Sequence, residues 1–146
     1  MEQLTFFSKS IHYALITLLG LFTVLLAGWQ VMVLRGKAMK NPDGSTDDWH
    51  EQKIIYGMAF ADLFVIVPAC LAGIVLVFIN LAWGCYLLSL VGFWFVWVNV
   101  VTTVTSLRFE KPKITANWFI IFPTGAIVGL AYLAWMIVHF DTIFSR

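Results

Sequence analysis

Residues 56–73 read "YGMAFADLFVIVPACLAG", and the interpretation of Tyr56–Gly73 decides the fold. The stretch is apolar from end to end except for Asp62, with Pro68 six residues later. The apolar run extends outward from it to Ile54 on one side and Ile79 on the other. About 20 consecutive apolar residues cross the hydrocarbon core of a bilayer. The stretch therefore predicts a transmembrane helix that carries a carboxyl group into the membrane.

The rest of the chain repeats that pattern. Its 146 residues are 61% hydrophobic and only 12% charged, where a soluble domain has roughly 45–50% and about 25%. Four runs are long enough to span: 11–34, 54–79, 81–107 and 118–140. These fill most of the chain and predict one membrane domain over residues 1–146, an all-α integral membrane protein built as a four-transmembrane-helix bundle. Lys9 ahead of the first run imitates a signal peptide, but the run is too long for an h-region. "LLAGWQ" also lacks a small-x-small cleavage site, so this run is read as the first span.

Lysine and arginine set the expected orientation. Arg35, Lys37, Lys40 and Lys53 fall in loop 35–53, and Arg108, Lys111 and Lys113 in loop 108–117. Only Lys9 and Arg146 lie on the opposite side. The positive-inside rule then puts both loops in the cytoplasm and both termini on the non-cytoplasmic side, in a bacterial inner membrane or its equivalent. No basic stripe exists outside these loops, so nucleic acid is not an expected partner. The expected surroundings are the lipid bilayer and a homo-oligomer or larger membrane complex. Between spans two and three the uncharged turn at Asn80 predicts an antiparallel hairpin.

Asp62 is the functional handle. It lies eight residues past Ile54, roughly 12 Å into the membrane at 1.5 Å per residue. An ionised carboxylate at the bilayer centre costs roughly 2.5–3.5 kcal/mol on insertion scales. The group is therefore expected to point inward, to be neutral, or to have a partner. Ala59, Ile66, Ala69 and Gly73 share its helical face and are mostly small, which suits helix contact. At a similar depth span three offers Asn99 and Thr103, span one Gln30, and span four Thr124 beside Pro123. A polar layer drawn from all four spans is the expectation, with Asp62, Asn99, Thr103, Gln30 and Thr124 as ligand- or ion-binding candidates. Gly125 and Gly129, Gly57 and Ala61, and Ala69 and Gly73 are small-xxx-small pairs that suggest packing seams.

Three histidines are too few for a membrane di-iron centre. His12 and His139 both fall near the outer face, where they are candidates to meet across spans one and four and hold haem or copper. Asp47, His50 and Glu51 share a helical face in the first loop, read as a capped, solvated turn. The run from Asp43 lacks the glycine and glutamate of a calcium loop. "NPDG" at residues 41–44 predicts a β-turn, and Ser45 to Asp48 are N-cap candidates for a helix starting near Asp48. Cys70 and Cys85 read as packing residues, with no Cys-x-x-Cys.

Seven tryptophans need places. Trp29, Trp83, Trp118 and Trp135 lie near span ends, as an aromatic belt does. "FWFVW" (93–97) sits mid-span, where Trp94, Trp97 and Phe95 form a candidate aromatic patch for a flat lipophilic ligand. Three functions fit. The first is a non-catalytic subunit or homo-oligomeric scaffold with Asp62 in a buried polar layer. The second is a proton- or cation-coupled transporter exchanging through Asp62. The third is an enzyme acting on a lipophilic substrate, which lacks a nucleophile beside a base.

Overall fold

The apolar runs become helices because every backbone N–H and C=O in a membrane must be satisfied within its own segment. The computed structural model describes residues 4–36, 49–109 and 116–145, and these are helical but for caps and turns. Helix α1 spans Phe6–Leu34. The second span is continuous through α2 (Trp49–Ala61), a π-helical turn (Asp62–Ile66) and α3 (Val67–Ile79). Helices α4 (Leu81–Phe109) and α5 (Ala116–Val138) follow, with the short α6 (Phe140–Phe144) after them. Four stretches are long and apolar enough to cross a membrane: Phe6–Leu34, Lys53–Ile79, Leu81–Thr105 and Ile120–Val138.

Local chemistry sets the helix ends. The Thr5 hydroxyl caps α1 by accepting from the Ser8 amide at 3.2 Å, so this helix starts five residues before the apolar run suggests. Beyond its end, Gly36 takes a left-handed φ of 69°. Its amide donates to the Val33 carbonyl, a glycine C-cap. Asn80 makes the predicted tight turn single-handedly. Its amide closes α3 on the Leu76 carbonyl, and its side-chain oxygen accepts from the Trp83 amide to open α4. The second span begins at Trp49, beside the Asp48 expected from capping residues.

The helices close a ring in which α4 packs between α3 and α5, while α1 crosses to α5 on one side and to the second span on the other. At the heart lie Leu19, Cys70, Cys85, Leu88, Val91 and Tyr132, all essentially without exposure. The outside is equally apolar: Phe64 is 58% and Ile127 63% exposed at mid-span. That inversion suits lipid, where a dry apolar exterior costs nothing.

The seams are partly those expected. A Cβ on Gly129 would meet the Gly92 carbonyl oxygen at 2.5 Å, so α4 and α5 touch backbone to backbone. Gly73 accepts the Leu88 side chain of α4 in the same manner. Gly57 and Ala61 are different: both are exposed, and nothing lies within 4 Å of a Cβ on Gly57. That pair faces away from the bundle, because it sits about 100° per residue off the inward stripe of Ala59 and Asp62. The "NPDG" turn, the caps Ser45 to Asp48, Lys111 and Lys113 lie outside the described residues, as do the side chains of His50, Glu51 and Trp118.

Candidate functional site

Asp62 begins the π-helical turn, and its carbonyl accepts the Val67 amide across the wider five-residue spacing. The cause is local. Pro68 has no N–H and its ring crowds the carbonyl four residues back, that of Phe64, so an α-helical bond is impossible there. Widening one turn relieves the clash, and such bulges recur at functional positions. The side chain of Asp62 then points inward and is 4% exposed, as the face shared with buried Ala59 and Gly73 suggests.

Its partner comes from the first span. Gln30 Nε2 donates to Asp62 Oδ2 at 2.6 Å, both groups being buried. The bond ties α1 to the second span 32 residues away in sequence. No lysine or arginine occurs between residues 54 and 79, nor within the facing cores of the other spans. An amide, not a cation, therefore satisfies the acid.

The other candidates share the level without joining that bond. Asn99 is buried, but its Nδ2 donates to the Phe95 carbonyl of its own helix at 2.7 Å. Its amide group lies flat on α5, where a Cβ on Gly125 would come within 2.6 Å of Nδ2. Thr103 and Thr124 are half-buried. Among the described residues, no hydrogen bond links Asn99, Thr103 or Thr124 to Asp62. The layer has two parts: the Asp62–Gln30 tie on one side of the bundle and the Asn99–Gly125 contact on the other.

The aromatic patch divides likewise. Phe95 faces the core and meets Phe22 of α1 edge-on at 6.2 Å. Trp94 is half-buried and sets its ring at 88° to Phe95. Trp97 points outward, 53% exposed. Adjacent helical residues diverge by about 100°, so these three rings do not share one surface.

A second polar group lies towards the opposite end, near the termini, and only its histidines were singled out from sequence. His12 is fully buried and stacks on Trp135 of α5, ring centres 4.1 Å apart and planes within 2°. His139 stacks on that same indole at 4.5 Å. Each histidine thus meets Trp135 instead of the other, and the expected His12–His139 pair does not form. His139 donates from Nδ1 to the Trp135 carbonyl and accepts at Nε2 from the Ser8 hydroxyl, which fastens α1 to the end of α5. Trp135 is 6% exposed, so it belongs to the core and not to an aromatic belt; Trp29 and Trp83 are exposed as a belt requires.

Around His12 gather residues whose types look like plain packing in the sequence. Its Nε2 lies 3.7 Å from Cys85 Sγ. The Tyr132 hydroxyl lies close to that sulfur. His12 Nδ1, Tyr132 Oη and Trp135 Nε1 are all buried without a partner, an uncommon concentration for a native core. The signal available in sequence was positional: Cys85, His12 and Tyr132 each lie a few residues inside one end of their spans. The helical rotation that turns them towards each other has no sequence marker. Comparison with protein-family models, curated proteins and solved structures finds no match to this chain.

Proposed function

We propose that this chain is a non-catalytic membrane subunit, working as a homo-oligomer or within a larger membrane complex, whose buried acid fastens its helices together. The observation that carries the reading is the Asp62–Gln30 bond. A buried carboxyl whose partner is an amide of a neighbouring span is interhelical glue, worth about 0.6–2 kcal/mol in a membrane. On this reading loops 35–53 and 108–117 face the cytoplasm and both termini the other side, following the distribution of Lys and Arg.

Coupled transport is the second reading, and the π-helical turn at Asp62 favours it. A wide turn beside an intramembrane acid gives the carboxyl a backbone that can change its hydrogen-bond spacing. Proton flux into liposomes carrying the purified protein and a pH-sensitive dye separates the two. The subunit reading expects wild type and Asp62→Asn to be equally tight to protons. A wild-type proton flux that Asp62→Asn abolishes, with the fold intact, replaces it with the transport reading.

A further inference from the structure

A cleft at the tip of the α3–α4 hairpin has no part in the Asp62 tie. It holds about 560 Å³ and lies between the turn at Asn80 and the short α6. That volume falls within the roughly 300–1,000 Å³ of small-molecule sites. The second span ends at Ile79 and the third begins at Leu81. The cleft therefore sits at the edge of the apolar core, where lipid headgroups begin. Trp83, 62% exposed, forms part of its wall, and an indole of this kind marks the headgroup level. Val77 and Ile143, both buried, form its apolar side.

The turn leaves backbone groups unpaired beside that apolar side. Asn80 takes up the Leu76 carbonyl through its amide and the Trp83 amide through its side chain, and its carbonyl accepts from Gly84. Among the described residues, the Val77, Phe78 and Ile79 carbonyls that end α3 have no partner. The same holds for the Leu81 and Ala82 amides that open α4. All five residues line the cleft. Three acceptors at the negative end of one helix dipole thus adjoin two donors at the positive end of the next. Asn80 Oδ1 is committed to Trp83, which leaves Nδ2 as a further donor, and the Thr142 hydroxyl of α6 adds another.

This pattern selects its occupant by charge. The ligand needs an anion for the α4 amides, a hydrogen-bonding cation for the α3 carbonyls, and an apolar remainder. A quaternary ammonium has no N–H to give the carbonyls, and a purely anionic headgroup has no cation at all. A primary ammonium has three donors. We infer that this cleft binds a zwitterionic phospholipid whose headgroup ends in a primary ammonium. The ammonium donates to the carbonyls of α3, and the phosphate oxygens accept from the amides of α4 and from Thr142. The acyl chains run over Phe78 and Ile79, which are 68% and 75% exposed. Bound in this way, the lipid caps the ends of both helices and joins the hairpin to α6.

Native mass spectrometry of the full-length protein released from detergent tests this, with phosphatidylethanolamine, phosphatidylcholine and phosphatidylglycerol of identical chains. The expected result is one phosphatidylethanolamine per chain, held about 10-fold more tightly than either other lipid. Affinity should fall stepwise as the amine is methylated once, twice and three times. Leu81→Pro removes one amide donor where proline is tolerated, because Asn80 before it is already extended at φ −145° and ψ 99°. That change should weaken phosphatidylethanolamine by about 10-fold, as should Ala82→Trp, which fills the cleft. Ile127→Ala, on the lipid-facing side of α5 at mid-span, should leave it unchanged. Should Ala82→Trp not fold, Leu81→Pro and the methylated series carry the test. Equal binding of the three lipids, a preference that survives Leu81→Pro and Ala82→Trp, an equal loss with Ile127→Ala, or no retained lipid overturns the assignment.

Discussion

Asn99 shows how a single side chain settles into a membrane core. Its amide satisfies itself on the Phe95 carbonyl and leaves a flat face against Gly125. Gly125→Ala forces a methyl group into that amide and should cost about 1–3 kcal/mol, the usual range for overpacking. Adding Asn99→Ala to Gly125→Ala should recover most of the loss, because the clash disappears with the amide. Unfolding of the four variants in mixed micelles gives the coupling directly. From sequence, Asn99 was legible as polar and at the right depth, but not as self-bonded. An asparagine in a helix can always reach the carbonyl four residues back, and whether it does so depends on its neighbours. Asp62 was more legible because small residues at helical spacing mark its face, and Gln30 because depth alone restricts partners. Trp135 was misplaced for a related reason: nearness to a span end says nothing about which way the ring turns.

At the scale of the element, contacts between helix backbones decide which glycines matter. Gly129→Ala drives a methyl into the Gly92 carbonyl, a backbone atom that cannot move aside, and should destabilise by about 1–3 kcal/mol. Gly57→Ala meets open space and should be neutral or stabilise by up to about 1 kcal/mol through helix propensity. Thermal unfolding in detergent compares the two, and equal losses would mean that the α4–α5 seam is wrongly placed. The π-helical turn has its own test. Pro68→Ala restores an N–H and removes the ring clash, so the turn should tighten to α-helical spacing. Amide hydrogen exchange over residues 62–68 should slow as a result; unchanged exchange would separate the wide turn from its proline. The span ends were legible to within about five residues, since hydropathy reports the membrane core and not the caps. The wide turn was not legible, because a proline in a membrane helix is compatible with a kink or a bulge.

As a whole molecule, the bundle carries buried polarity at two levels. The Asp62–Gln30 tie and Asn99 lie towards the charged loops, and the His12–Trp135–Cys85 cluster towards the termini. An apolar core of Leu19, Leu88 and Val91 fills the bundle along with them. Helix association in lipid has no hydrophobic driving force, so such polar ties and close glycine contacts fix the register instead. Orientation is tested at this scale. With a membrane-impermeant thiol reagent on intact cells, Ser145→Cys should label and Ser45→Cys should label only after permeabilisation. The opposite pattern would overturn the proposed sidedness.

The central claim is that Asp62 holds helices together by its bond to Gln30, and the equilibrium unfolding free energy of variants at these two positions tests it most directly. Asp62→Asn keeps an oxygen for the Gln30 amide and should cost less than about 0.5 kcal/mol. Asp62→Leu strands that amide in the core and should cost about 1–3 kcal/mol, while adding Gln30→Leu to it should restore most of the loss. If the two single variants at Asp62 are equally stable and the double variant shows no coupling, the bond holds nothing together and the acid serves some other purpose.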